Sequence, residues 1–334
     1  MKKRIVWIDL LRLIGIIGVM LMHIVGNTKY TFGNLSNTSF ITYTYISLLS
    51  EYAVPLFVMI SGMMFLKKDK ISFKDMFFKY CLKIILAIIL FGTVMIVLEE
   101  LFTYKTLDYT IFKTIFIKLL TGELWAHMWY LYLILGLYLI TPALIYITKN
   151  IEQNEYRNFL IILFILTIFL TTVNRYFNIY IMFNHISISG YIFYYLYGYY
   201  LYKYEINNKY KLLNYLLLIV SIIYIILFID KKSEYLFEYT SFIPFIIAST
   251  IIVTIKDIKI TKFTKIINSI GIHSFGIYII HQFFINIIYK FIKFKYIIYH
   301  PYIGLILYLI IILSLSYITT YILKKIKIID KYLL

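Results

Sequence analysis

The sequence predicts an all-α polytopic membrane protein, one bundle of about ten transmembrane helices with both termini in the cytoplasm, and three observations carry that expectation. Hydrophobic residues fill 62% of the 334 positions and aromatics 20%, more apolar than a soluble domain. Ten segments of the ~17–25 predominantly apolar residues needed to cross a hydrocarbon core alternate with stretches rich in Lys, Asn and Glu. With the N-terminus inside, the inner segments hold 22 Lys and Arg and the outer loops 10, as the positive-inside rule requires. The formal charge of +17 is therefore read as topology and contact with anionic membrane lipid. A nucleic-acid partner is not expected, because no basic motif interleaved with aromatics occurs.

The spans follow in order. Span one, residues 5–26, is not a cleaved signal peptide: Arg12 interrupts its apolar part, no A-x-A-like site follows, and more spans come after it. It also carries Asp9 and His23. Asp9 lies about one turn inside the cytoplasmic end, where an i,i+3 ion pair with Arg12 is its plain structural role. Arg12 and His23 are eleven residues apart. At 100° per residue that is three turns plus about 20°, so the two share a face while lying ~16 Å apart along the axis.

Span two, 44–66, holds Glu51 about two turns below its outer end, where a buried carboxylate can orient an imidazole through its N–H. The inner loop after it carries Lys67, Lys68, Lys70 and Lys74. Span three, 80–99, contains Cys81, the single cysteine, which excludes an internal disulfide framework or a Cys-rich metal site. Span four, 126–147, opens on His127 and Trp129, for which an interface anchor is the structural alternative to a site role. Spans five to eight, 158–174, 188–203, 211–229 and 240–256, are rich in Tyr, Ile and Phe and offer few charges. Span nine, 268–289, carries His281 two thirds of the way outward and His273 near its inner end; span ten is 302–323. His185 and His300 fall in outer loops. With no long linker, no repeat and no soluble module after the last span, residues 1–334 are expected to form a single membrane domain.

An Arg or Asp at the centre of a span costs a few kcal/mol, so intramembrane ionisable groups face a bundle interior or wet cavity and mark a functional path. No GxSxG elbow, P-loop or GxGxxG occurs, which removes serine hydrolases and nucleotide-driven pumps. Chemistry must then come from the polar residues within the spans. An imidazole suits general-base activation of a hydroxyl, and a guanidinium suits a phosphate or carbonyl. The candidate catalytic residues are His23, Arg12 and Glu51, with His127, Trp129 and His281 on the substrate side. The histidines do not follow a helix-spaced metal motif such as H-E-x-x-H, so no metal is expected.

The run "WIDLLRLIGIIGVMLMHI", with Arg12 and His23, resembles the opening helix of the acyltransferase-3 family of bacterial surface-glycan acyltransferases. "AVPLFVMISGMMF" (Ala53–Phe65), "HMWYLYLILGLYLITPAL" (His127–Leu144) and "SFGIYIIH" (Ser274–His281) fit the same family in order. The resemblance implies a bacterial plasma-membrane enzyme that moves an acyl group, commonly acetyl, from cytoplasmic acyl-CoA to a hydroxyl of a surface glycan or lipid-linked sugar. Acyl-CoA is then a donor substrate, and no cofactor is bound permanently. His23 takes the role of base or acyl-handling residue, and Arg12 binds or positions the donor. Their shared stripe suits a tunnel through which the pantetheine arm presents its thioester outward.

Two departures from the family pattern stand out. Many members carry an arginine pair in the first inner loop, whereas here Lys67 and Lys68, with Lys70 and Lys74, would meet the donor's phosphates as point charges. Some relatives add an extracytoplasmic esterase-like domain. This chain stops at Leu334, so it either completes transfer alone or hands the acyl group to an extracytoplasmic partner protein. The alternative function is a transporter or export component for surface polysaccharide that uses the polar stripe as a passage.

Overall fold

The computed structural model describes residues 4–32, 36–104, 109–178, 189–228, 236–292, 297 and 300–334. Every element of two turns or more among them is helical. Helix α1 spans Val6–Phe32, α2 Asn37–Ser50 and α3 Ala53–Leu66. A one-turn α4 (Phe73–Met76) and a π-helical turn at Phe77–Cys81 lead into α5, Leu82–Tyr104. Then come α6 (Ile111–Thr121), α7 (Trp129–Asn150), and α8 (Gln153–Phe164), which continues through a second π turn into α9 (Leu170–Phe177). The rest is α10 (Gly190–Lys203), α11 (Asn208–Phe228), α12 (Phe242–Asp257), α13 (Thr264–Asn286), α14 (Pro301–Leu323) and α15 (Lys327–Tyr332). His185 lies outside the described residues.

Eight helices among the described residues are long and apolar enough to cross a membrane, which makes this a multi-pass membrane protein. They correspond to expected spans one to five, seven, nine and ten. The segments expected as spans six and eight are α10 and α12, of 14 and 16 residues. At 1.5 Å per residue these reach only about 21 and 24 Å, short of a ~30 Å hydrocarbon core. Both lie largely buried among longer helices. Expected span two is interrupted at Glu51 and Tyr52, where α2 ends and α3 begins. The faces of α6 and α11 are the opposite case: Phe112, Phe116, Leu120, Leu213, Val220 and Ile226 stand exposed, as side chains against lipid do.

Close helix approach sets the core. Helices α3 and α10 make the most extensive pair among the described residues. A Cβ at Gly62 would collide with the backbone carbonyl of Tyr195, and one at Gly198 with that of Met59. In lipid, where apolar burial does not drive association, such glycine contacts let backbones pack closely enough for dispersion to hold them. Gly62→Ala is expected to destabilise the protein by about 1–3 kcal/mol through overpacking. The check is a lowered apparent melting temperature in nanodiscs; an unchanged one would show that the two helices can part without cost.

Candidate active site

The first turns of α1 build a buried ionic fork. Asp9 is 1% exposed. Its Oδ1 accepts from Arg4 Nη2 at 2.5 Å and Arg12 Nη1 at 2.6 Å, and its Oδ2 from Arg4 Nε at 2.7 Å. The i,i+3 pair read from the sequence is present, and Arg4, five residues before Asp9, completes it. On the facing helix α13, a Cβ at Gly271 would lie 2.5 Å from Asp9 Oδ1, so only glycine lets α13 close over the carboxylate. One carboxylate shared by two guanidiniums leaves one positive charge over.

That surplus faces a cavity of about 620 Å³ lined by Arg4, Arg12, Lys83 and Lys324 at one end, with Ser61, Tyr130, Tyr138 and Tyr278 further along its walls. Lys324 pairs with Asp330 at 2.9 Å, and Lys83 donates to the Asp330 carbonyl at 3.0 Å. Ser61 lies close to the hydroxyls of Tyr130 and Tyr138. The lining is thus cationic where the chain ends meet and hydroxyl-bearing deeper in, a pairing suited to an anionic ligand with a long uncharged arm.

Three histidines from three separate segments converge beside the cavity. His23 of α1, His127 just before α7 and His281 of α13 have ring centroids 5.1 Å (127–281), 5.3 Å (23–281) and 6.3 Å (23–127) apart. Tyr278 belongs to both places: it lines the cavity, and its ring lies 5.6 Å from His127 and 5.9 Å from His281. Its hydroxyl donates to the His127 carbonyl, which fixes the entry into α7.

The hydrogen bonds also fix which nitrogens are bare. His127 Nε2 lies 3.1 Å from the Ile279 carbonyl, and His281 Nδ1 lies 2.5 Å from that of Tyr278. A carbonyl only accepts, so each bonded nitrogen carries the proton and the neutral ring keeps its lone pair on the other. Those other nitrogens, His127 Nδ1 and His281 Nε2, are buried and have no hydrogen-bond partner among the described residues. Orphaned buried acceptors are rare enough to need a reason. His23 is the least buried of the three. No group of three His, Cys, Asp or Glu among the described residues is placed to hold a metal ion.

The other residues singled out in the sequence lie elsewhere. Glu51 lies beside Tyr239, and Trp129 stacks on Tyr239 at 5.2 Å and lies 6.1 Å from Tyr191. These form a separate aromatic cluster, and no hydrogen bond or ion pair from Glu51 to an imidazole is found among the described residues. Burial first, and then the Glu51 charge, push the Tyr239 hydroxyl above its ordinary value, so it stays protonated. Lys68 donates to the Tyr80 hydroxyl at 2.7 Å, and Lys67 lies 5.6 Å over the Tyr202 ring. Neither is in the cavity lining, whereas Arg4, Lys83 and Lys324, which the sequence assigned only to topology, are. Their signal was position: each stands within a turn of a span's inner end.

The chain was compared with known proteins. The protein-family model described as "Acyltransferase domain" matches residues 5–324, nearly the whole length. No curated protein and no solved structure matches the chain.

Proposed function

The chain belongs to the acyltransferase-3 family, and from that premise we propose that it moves an acetyl group from cytoplasmic acetyl-CoA to a hydroxyl of a surface glycan or lipid-linked sugar in the bacterial plasma membrane. Residues 1–334 act as one membrane domain with both termini cytoplasmic. The observation that carries the proposal is the juxtaposition just described: His127 and His281, each with a bare buried nitrogen, meet both His23 and Tyr278, and Tyr278 lines a cavity that also holds Arg4 and Arg12 of the fork.

Arg4, Arg12, Lys83 and Lys324 meet the phosphates of the donor, the guanidiniums in bidentate fashion and the ammoniums as point charges. Lys67 and Lys68 stand behind this ring and add to its field. The pantetheine arm runs along Ser61, Tyr130 and Tyr138, whose hydroxyls answer its amides. This delivers the thioester to the histidines, roughly 16 Å along α1 from Arg12.

There His23, the most open imidazole, takes the acceptor hydroxyl's proton as that oxygen attacks the thioester carbonyl. The C–O bond forms, the C–S bond breaks, and the leaving CoA thiolate takes the proton from the imidazolium. His127 and His281 hold His23 in place from two sides, while Glu51 and Trp129 line the acceptor's approach. The rest of the rate comes from positioning donor and acceptor together.

The test is thioester consumption. Purified protein in nanodiscs, given acetyl-CoA and the deacetylated surface glycan, is expected to release free CoA thiol in step with O-acetyl groups appearing by NMR. A transporter or export component consumes no thioester. Absence of thiol release under these conditions removes the acyltransferase reading.

A further inference from the structure

We infer that a second cavity, of about 370 Å³, on the side of the histidines away from the arginine fork, is the acceptor subsite, and that it takes an uncharged sugar unit through side-chain amides. The inference rests on the acyltransferase reading for the direction of the chemistry, and on the cavity itself for the ligand. The walls are continuations of all three histidine-bearing segments. Asn27 lies one turn beyond His23, Ala126 directly precedes His127, and Gln282 directly follows His281. The cavity therefore lies just beyond the histidines along α1 and α13, on the side away from the fork.

The chemistry of the lining selects the ligand. Gln282 is 6% exposed and its Oε1 has no hydrogen-bond partner among the described residues. A buried acceptor left this way is unfavourable, and a ligand hydroxyl donating to it would remove that cost. Asn286, one turn further on, is 7% exposed and also lines the cavity. Asn27 donates to the His23 carbonyl at 2.8 Å, tying the wall of this cavity to the backbone of the proposed base. Amides both donate and accept, so a pair of them matches vicinal hydroxyls.

Charge decides between neutral and acidic sugars. Lys290 lies 3.1 Å from Glu99, and Glu99 also accepts from Trp125 Nε1 at 3.1 Å. Lys118 is 3.8 Å from Glu100. Both lysines of the lining are thus matched by carboxylates, and Glu123 adds a further acid. Among the described residues of the lining no cation is left unmatched for a uronate or a phosphorylated sugar, and the surplus acid repels them.

Trp125 gives a readout at the site. Nanodisc-embedded protein is titrated with neutral methyl glycosides (glucoside, galactoside and N-acetylglucosaminide) and with methyl glucuronide, following tryptophan emission against a Trp125→Phe control. Saturable change with at least one neutral glycoside and none with the glucuronide is expected. Gln282→Ala and Asn286→Ala should each weaken binding at least tenfold. Calorimetric CoA binding at the wild-type affinity shows that each variant is folded. The inference is overturned if no neutral glycoside binds, if glucuronide binds as well as they do, or if both folded variants bind as wild type. Glycoside binding without thiol release would fault the acyltransferase reading and leave the sugar site standing; thiol release without glycoside binding would fault the sugar site alone.

Discussion

His23→Ala is expected to lower kcat for transfer by about 10²–10⁴-fold, the range of a positioned general base, while the protein folds and binds CoA as before. The two other imidazoles do not rescue it. An N–H to a backbone carbonyl, Ile279 for His127 and Tyr278 for His281, fixes each ring so that its bare nitrogen is fully buried, out of an acceptor hydroxyl's reach. His23 is the more accessible ring and alone sits on the helix that also carries the donor-binding fork. Because the three rings lie within 5.1–6.3 Å of one another, their substitutions should be non-additive. His23→Ala combined with His281→Ala is expected to be no worse than His23→Ala within a factor of about three. Stopped-time CoA release over a series of pH values makes the measurement. A folded His23→Ala protein that keeps wild-type kcat would move the base to His127 or His281, and additive losses would mean that the rings act separately.

The sequence made the spans legible where length and hydropathy agree, because a hydrocarbon core imposes both. It is less decisive at α10 and α12, whose runs of Tyr, Phe and Ile read as full spans while the helices are 14 and 16 residues long. Burial inside a protein and burial in lipid select the same side chains, so composition alone cannot tell a short enclosed helix from a crossing. The break at Glu51–Tyr52 did leave a mark, Pro55, which has no N–H to give the Glu51 carbonyl and so loosens the helix there.

Within the site, the helical stripe joining Arg12 to His23 could be computed from spacing, and the Asp9–Arg12 pair from i,i+3 geometry. The meeting of His23 with His127 and His281 could not. It depends on α1 packing against α13 and on the turn before α7 reaching both, separations of over one hundred residues that no local pattern encodes. Lys83 and Lys324 were legible as topology signals. A lysine at an inner span end serves orientation and phosphate binding with the same charge, and only its position on a cavity wall separates the two. Gln282 carries no charge and stands next to a histidine that drew more notice.

The fork at the start of α1 gives the second large effect, and one that separates donor binding from chemistry. Arg12→Ala is expected to raise the KM for acetyl-CoA by about 10–100-fold, the loss of a charged hydrogen-bonding partner for phosphate worth roughly 1.5–3 kcal/mol. kcat should stay within about threefold, because Arg12 lies ~16 Å along α1 from His23 and touches no reacting atom. Arg12→Lys keeps the charge and loses the fork, so it should fall between the two.

Asp9→Asn tests the fork from its centre. It leaves two guanidiniums facing each other without their shared carboxylate, at side-chain exposures of 35% for Arg4 and 20% for Arg12. Breaking a fully buried pair costs about 3–5 kcal/mol; partial exposure of both arginines lowers this to roughly 2 kcal/mol, read as a lower melting temperature. Arg12 is then no longer held toward the cavity, so the donor KM rises in Asp9→Asn as well. If Asp9 acts through Arg12, adding Asp9→Asn to Arg12→Ala raises KM no further than Arg12→Ala alone, a coupling that a merely structural carboxylate would not produce. A fall in kcat with unchanged KM in Arg12→Ala would instead place the guanidinium at the reacting carbonyl, and the donor would have to enter the bundle more deeply than the cavity's cationic end implies.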